Sequence, residues 1–297
     1  VAYTDDQRTA SGYARILEMW ERGETIDEAE TLMEVGVNDF DIWGYTVYGG
    51  DTPYTLMARD IDFYNLELFL HAEDGEVRRV PLPTGVPIYH VFKDDMVFSL
   101  REAWTAPDGR TYQPGGLYSF DLRRWAETGE MSAIETLLAP SPKISLQGVL
   151  NTKDTLFVAL MDNIRGRVLG YRKSAGEWSS TRIALPDNGS AYINDADATG
   201  TTISFGFENF VTPPSILWSD DDGATLGSAH VQPASFDPAQ FMSEQLEVAS
   251  KDGTMIPYFV VRPRELKGPV PTLLYGYGGF EVSMVPFYSQ LIGELWL

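Results

Sequence analysis

The sequence contains no cysteine. This absence excludes disulfide frameworks, thiolate zinc sites and cysteine nucleophiles. It fits a reducing cytoplasm, which is the location we expect. An exported form stays open, because the chain starts at Val1 rather than methionine and a leader could have been removed.

Basic residues are few: 22 Lys and Arg stand against 43 Asp and Glu, for a formal charge of −21. A nucleic-acid partner requires the opposite sign, and an anionic membrane surface is disfavoured for the same reason. No apolar run approaches the ~18 residues of a membrane-spanning helix. The three histidines lack metal-ligand spacing, so we expect no metal and no cofactor.

A repeat occupies most of the chain. Five short segments, in which apolar and polar residues partly alternate as in half-buried strands, start 51, 51, 51 and 48 residues apart. A second β-rich run precedes each of the last four. The five segments are residues 14–19, 65–70, 116–121, 167–172 and 215–220; the preceding runs are residues 54–58, 96–100, 156–160 and 203–207.

A β-rich unit of about 50 residues is typical of one propeller blade of four strands. The regular spacing favours a mainly β fold over a sandwich with coincidental spacing. We therefore predict a partial β-propeller over residues 1–240, with about five blade-equivalents of a larger, seven-bladed ring. Weak helical periodicity also predicts a helix over residues 123–138, and we expect the acidic run at residues 220–222 to form a hairpin turn rather than a calcium loop.

The composition changes near residue 240, after Pro233 and Pro238, which suggests a domain boundary. Residues 244–261 then predict two strands joined by an Asp-Gly turn, with Pro257 restricting its strand to a sheet edge or strand start. A short apolar strand is predicted from Pro271, and it leads into a glycine-rich turn. A helix-like stretch follows over residues 289–297.

The glycine-rich turn has two functional interpretations and one structural one. Dinucleotide binding needs a third glycine where Glu281 stands, and an acidic residue would repel phosphate. Alternatively, the turn supplies part of an oxyanion hole after a strand of an α/β-hydrolase, with a tyrosine hydroxyl as donor. Spacing alone leaves this second interpretation and a purely structural turn equally open.

Residues 244–297 resemble the start of the catalytic domain in the prolyl oligopeptidase family of serine peptidases. The resemblance rests on residues 250–254 (Ser-Lys-Asp-Gly-Thr) with Ile256-Pro257, and above all on residues 274–280 (Leu-Tyr-Gly-Tyr-Gly-Gly-Phe). Residues 212–215 and 62–64 also resemble the bacterial branch. The family combines a β-propeller with an α/β-hydrolase domain, so the resemblance implies that residues 241–297 begin such a domain.

The resemblance implies roles for individual residues. Tyr277 matches the oxyanion-hole tyrosine, and Phe280 matches a phenylalanine that lines the pocket for the residue before the scissile bond. Tyr275 is expected to pack. The implied function is hydrolysis of short peptides after proline, with the propeller gating access and the remainder of the hydrolase domain as a partner. A binding module with an inactive hydrolase remnant, and an esterase or acyl-peptide hydrolase, are the alternatives.

The catalytic triad is missing from these 297 residues. No Gly-x-Ser-x-Gly occurs, and the three histidines all precede the glycine-rich motif, contrary to the Ser-Asp-His order of α/β-hydrolases; they are His71, His90 and His230. We therefore expect packing or surface roles for the histidines, and we expect this chain alone to be inactive as a peptidase.

Overall fold

The computed structural model describes residues 4–48, 53–72, 74–279 and 282–297. Strands dominate, and two short α-helices occur in this part of the chain. The chain divides into two compact units, Val1–Pro140 and Ser141–Leu297. The predicted division between residues 240 and 241 stays a prediction.

The first unit opens with a two-stranded sheet and continues with a four-stranded blade. The small sheet pairs β1 (Ile16–Met19) with β2 (Glu30–Glu34). The blade has the order β3-β4-β5-β6, and all its neighbours are antiparallel. Its strands are β3 (Asp41–Val47), β4 (Tyr54–Asp60), β5 (Leu66–His71) and β6 (Val77–Arg79).

A second blade completes the first unit. It contains β7 (Tyr89–Phe92), β8 (Asp95–Ser99), and two strands that follow a small inserted hairpin, β9 (Trp104–Thr105) with β10 (Thr111–Tyr112). Those two strands are β11 (Leu117–Asp121) and β12 (Glu135–Leu138), and helix α1 (Leu122–Thr128) lies between them. The order in the sheet is β7-β8-β11-β12.

The second unit holds two further four-stranded blades, an extended hairpin and a short helix. Both blades follow the order of the chain. The elements are β13 (Ile144–Asn151), β14 (Leu156–Asp162), β15 (Arg165–Ser174) and β16 (Glu177–Arg182); β17 (Ser190–Ala196), β18 (Ile203–Glu208), β19 (Ser215–Ser219) and β20 (Gly227–Val231); the hairpin β21 (Phe241–Ala249) and β22 (Met255–Pro263); and α2 (Gln290–Leu295).

The blades confirm the predicted repeat strand by strand. In every four-stranded blade the repeated segment forms the third strand, namely β5, β11, β15 and β19. The β-rich run ahead of it forms the second strand, namely β4, β8, β14 and β18. The first copy of the repeat contains β1, whose partner β2 follows it as a fourth strand follows a third. The four blades and this two-stranded sheet therefore account for the five blade-equivalents.

Second strands form the core of each unit. All five residues of β8 and the first five of β14 are buried, because a second strand has sheet neighbours on both sides and packed side chains above and below it. In the second unit, Phe157 on β14 meets Phe205 on β18 edge to face, with ring centroids 5.9 Å apart. Adjacent blades are thus joined through the side chains of their second strands.

The helix predicted over residues 123–138 is correct only in its first half. The Asp121 side chain accepts the Arg124 N–H at 2.8 Å and caps the start of α1. Gly129 ends the helix in the left-handed conformation, at φ 74°, and its N–H binds the carbonyl of Trp125. The remaining apolar residues form β12, because the blade needs a fourth strand at this point.

The acidic run at residues 220–222 forms the turn between β19 and β20, as predicted. The Ser219 hydroxyl donates to Asp221 at 2.7 Å, and the Thr225 N–H donates to the same carboxylate at 2.8 Å. These donors lower the pKa of Asp221 to about 2, the Ser219 hydroxyl contributing most. The Asp222 carboxylate accepts the Thr152 hydroxyl at 2.6 Å. Asp221 therefore organises the turn, and Asp222 links it to the neighbouring blade.

The Asp-Gly turn between β21 and β22 also forms as predicted, with Gly253 at φ 86°. Pro257 lies within β22, opposite Glu247, in a sheet of two strands where one side of each strand is unpaired. Across the part of the chain that the structure describes, no helix has both the length and the hydropathy needed to cross a bilayer.

One glycine controls how closely two blades approach in the second unit. The Gly166 N–H on β15 donates to the Gly189 carbonyl ahead of β17 at 2.8 Å. A Cβ on Gly166 would overlap the backbone nitrogen of Ala191. Backbone cannot move aside as a flexible side chain can, so this position admits only glycine.

We expect Gly166→Ala to lower the free energy of unfolding by about 1–3 kcal/mol, because the added methyl forces the two blades apart. Urea denaturation of both proteins, followed by fluorescence, measures the difference. Gly148→Ala on β13 is the matched control, since a Cβ there meets no atom within 4 Å, and its stability should change by less than about 0.5 kcal/mol. Equal stabilities of the two variants would contradict the close-approach argument.

Candidate functional site

The strand predicted to start at Pro271 is wrong: residues 264–279 contain no strand in the structure. Leu274 is 95% exposed, so nothing packs on its side chain. The residues have the apolar, β-forming character of a buried strand, but a strand also needs a neighbour to accept its backbone hydrogen bonds. No such neighbour lies beside this segment within the described residues.

The glycine turn that follows does form. Gly278 adopts φ 92°, a conformation in which a side chain is strained, and the Gly279 carbonyl accepts the Val282 N–H at 3.0 Å. Tyr277, the predicted oxyanion donor, is 57% exposed at the start of this turn. The side chain is therefore more than half open to solvent.

Tyr275 and Tyr277, the two tyrosines of the motif, are both exposed in the structure. Tyr275, expected to pack, is 69% exposed, so that expectation is wrong for this structure. The reason is the same missing strand partner, since a packed Tyr275 would need a neighbouring layer. Phe280, the predicted pocket residue, lies outside the described residues, as does Glu281.

The histidines lie in the blades, as predicted: His71 on β5, His90 on β7 and His230 on β20. The His230 backbone pairs opposite Ile216, and its side chain is exposed. Within the described ranges, no group of three or more His, Asp or Glu side chains is arranged to hold a metal ion. None of the three histidines follows the glycine motif in the chain.

The segment after the motif is fixed to the last blade by an arrangement that the sequence did not reveal. The ring of Tyr288 stacks on Phe236, with centroids 5.3 Å apart and planes within 7°. The Ser235 N–H donates to the Tyr288 hydroxyl at 2.9 Å, and the Tyr288 N–H donates to the Glu208 carboxylate at 2.7 Å. We call these four residues the Tyr288 anchor.

Two further contacts support the Tyr288 anchor. Phe287, the preceding residue, lies 6.1 Å from the ring of Phe210, which in turn lies 5.3 Å from Phe259 on β22. In α2, Gly293 lies against Phe236 so closely that a Cβ would overlap the ring. Blade, hairpin and C-terminal segment thus share one aromatic cluster, and the glycine turn lies nine residues before Phe287.

Stacked four-stranded antiparallel sheets with buried second strands define a β-propeller protein. Residues 101–225 match the family described as prolyl oligopeptidase, N-terminal beta-propeller domain. This match shows that the chain carries the propeller domain of the prolyl oligopeptidase family, a family of serine peptidases.

Two of the following three comparisons with individual proteins extend over nearly the whole chain. An uncharacterized peptidase, y4nA, of Sinorhizobium fredii is 31% identical over 304 residues, which cover 99% of this chain and 42% of that protein. A prolyl endopeptidase of Elizabethkingia miricola is 35% identical over 117 residues, covering 39% of this chain and 16% of that protein. The solved post-proline cleaving enzyme of Rickettsia typhi has a TM-score of 0.85 at 24% identity, covering 100% of this chain and 44% of that one.

The chain covers less than half of each of these relatives. This chain spans about two fifths of the length of the first two curated relatives, 42% and 41%. At 24% identity, the likeness to the solved structure shows the fold. The activity of a whole protein of this family is therefore a matter for proposal.

We expect Tyr288→Phe to loosen the C-terminal segment without unfolding the blades. The variant keeps the ring stacked on Phe236 but loses the hydrogen bonds to Ser235, each worth about 1 kcal/mol. Amide hydrogen exchange in α2 should become about tenfold faster. Tyr275→Phe is the control, because no residue in the described ranges is bonded to that hydroxyl. Unchanged exchange in Tyr288→Phe would show that the anchor does not hold the segment.

Proposed function

We propose that this chain forms the propeller and the first catalytic-domain segment of a serine oligopeptidase that hydrolyses short peptides after proline. The observation that carries the proposal is the likeness over the whole chain to a peptidase, joined to the Leu-Tyr-Gly-Tyr-Gly-Gly-Phe motif at residues 274–280. Names of similar proteins support the specificity, since they include a prolyl endopeptidase and a post-proline cleaving enzyme. The absence of cysteine supports a cytoplasmic location as part of the same proposal.

Tyr277 is the chemical centre of the proposal. Acyl transfer places negative charge on the former carbonyl oxygen, and a preorganised hydroxyl donor stabilises that charge in the transition state. Tyr277 meets the requirement of access, because it is more than half exposed, and the left-handed Gly278 gives the turn a defined course. The second donor is a backbone N–H beside the nucleophilic serine, and Phe280 lines the pocket before the scissile bond.

The remainder of a hydrolase domain is the partner that this arrangement requires. Apolar side chains of the hairpin and the motif are exposed, which a globular protein normally covers. They include Leu246, Val248, Ile256, Leu273 and Leu274. A parallel strand laid beside residues 271–275, and helices over the hairpin, would bury these side chains and complete the site.

The propeller's role in the proposal is to gate access. The blades are strongly acidic, and a cover over an active site admits short flexible peptides while excluding folded proteins. The same charge favours neutral and cationic peptides in the approach, through a field screened over about 8–10 Å at ordinary salt.

The test is Tyr277→Phe in a chain long enough to include a Gly-x-Ser-x-Gly serine, assayed on a chromogenic peptide with proline before the scissile bond. We expect kcat to fall by about 10²–10³, which corresponds to one lost oxyanion donor. KM should change much less, because the donor acts mainly in the transition state.

Tyr275→Phe is the matched control and should keep kcat within a few-fold. The 297-residue chain alone should not hydrolyse the peptide, since it lacks the triad. Full kcat in Tyr277→Phe, or equal losses in the two variants, would show that the turn has only a structural role. A longer chain without any Gly-x-Ser-x-Gly would instead favour the binding module, and a preference for ester or acyl-amino-acid substrates would favour the third class.

A further inference from the structure

A cleft of about 330 Å³ lies in the first unit, where the ends of strands from its two blades meet. Phe40 and Trp43 come from the start of β3, and Asp60 ends β4. The β4–β5 turn, residues 86–87 ahead of β7, and Arg101 after β8 complete the lining. We call this the aromatic cleft and define it by Phe40, Trp43, Asp60, Phe63, Tyr64 and Arg101.

Aromatic rings form the wall of the cleft and remain open to solvent. Phe63 is 77% exposed and Tyr64 is 55% exposed, and their rings meet edge to face at 5.1 Å. Phe63 also lies 6.5 Å from the ring of Phe40, again edge to face. Leaving two neighbouring rings in water forgoes the hydrophobic free energy that burial would supply, and exposed aromatic clefts are typical of binding sites.

The turn that carries these rings is held in place. The Asp62 carboxylate accepts the Tyr64 N–H at 2.8 Å and the Asn65 N–H at 3.0 Å, and the Asn65 side-chain amide donates to it as well. These bonds lower the pKa of Asp62, with the Asn65 side chain contributing most. The rings therefore stand in a preorganised position, which reduces the entropy lost when a ligand binds.

The cleft also holds an acid that is short of donors. The Asp60 Oδ2 accepts the Trp43 indole N–H at 3.1 Å, but Oδ1 is buried and accepts no hydrogen bond within the described residues. Burial raises the pKa of Asp60 and the nearby Asp41 carboxylate raises it further, while the Trp43 bond opposes the shift. Within the described residues no cation pairs with Asp60, and the Trp43 N–H is its side-chain donor.

Two arginines lie at or near the cleft, and each already has partners. The guanidinium of Arg59 pairs with Asp39 at 2.8 Å and with Glu67 at 3.2 Å. The guanidinium of Arg101 lies over the Tyr64 ring, 5.1 Å from its centroid. Space, ring faces and negative charge are therefore combined in one cleft.

We propose that the aromatic cleft binds an alkylammonium group, such as a lysine side chain or the amino terminus of a peptide. The exposed Phe63 ring attracts a cation through its quadrupole, since Arg101 already covers Tyr64. Asp60 supplies the opposite charge through space, because its Oδ1 is enclosed by protein. The volume suits one extended side chain or a dipeptide. A phosphate or carboxylate would meet Asp60 and Asp62, and the net charge of −21 opposes anions throughout.

The experiment uses the 297-residue chain and Nα-acetyl-lysine amide as the probe. Binding is followed by NMR at the Trp43 indole N–H, which is bonded to Asp60 and is assigned by Trp43→Phe. We expect a saturable shift with the lysine amide and none with Nα-acetyl-norleucine amide, which keeps the aliphatic chain without the charge. Alanyl-alanine amide presents a free amino terminus, and the tighter of the two cations identifies which source of the ammonium fits.

Two variants test the contributions of Asp60 and Phe63 to binding, and a third variant is the control. Asp60→Asn should weaken binding about tenfold or more, and Phe63→Ala about three- to tenfold. Because Phe63 is largely exposed, its variant keeps the fold and remains informative if Asp60→Asn fails to fold. Glu177→Gln on β16 removes an exposed acid in the second unit and should leave affinity unchanged.

The proposal is overturned by equal binding of the norleucine amide, by the absence of a saturable shift with both cations, or by equal losses in Glu177→Gln and Asp60→Asn. The readout is equilibrium binding to the blades. It is therefore independent of the proposed peptidase function, and either can fail without the other.

Discussion

The structure depends on the burial of second strands between blades. A blade of four antiparallel strands has two faces, and it cannot cover both by itself. The contact between Phe157 on β14 and Phe205 on β18 shows how neighbouring blades solve this problem: large side chains of one second strand fill the space against the next. At Gly166 the backbones of two neighbouring blades, rather than their side chains, lie in close contact.

Because the core residues lie in the middle of the second strands, residues at the strand ends are not required for packing and can take other roles. The residues that hold a blade together lie in the middle of β4, β8, β14 and β18, whereas turns and strand ends tolerate polar and aromatic side chains. The Asp62 turn and the Asp221 turn use carboxylates to fix local backbone, and the Tyr288 anchor uses a stacked ring and a hydroxyl. Each of these features lies on blades that are stabilised mainly by their buried second strands.

The blades could be predicted from the sequence because their signal is local and repeated. A buried second strand needs a continuous apolar run, and a third strand needs partial alternation. The third-strand segments recur at nearly equal intervals, and a second-strand run precedes each of the last four. The end of α1 was missed because weak periodicity continued past Gly129, although a glycine near the end of a helical stretch is a common stop signal. The strand from Pro271 was predicted from composition, but its formation depends on a neighbour that composition cannot reveal.

The functional features also differ in whether a short sequence motif marks them. Tyr277 could be proposed from the sequence because it lies in a distinctive run of glycines and tyrosines. The Tyr288 anchor joins residues 53 and 80 positions apart in the chain, and the aromatic cleft joins the ends of several strands, so neither leaves a short motif in the sequence.

The unpaired segment at residues 271–275 has a consequence for handling the protein. An exposed stretch of Leu-Leu-Tyr with unsatisfied backbone groups is a template for edge-to-edge association between copies. Pro271 blocks one donor at its start, but nothing charged interrupts the residues that follow. We therefore expect association between copies to start at this short segment, and mutual repulsion between molecules carrying a charge of −21 opposes it.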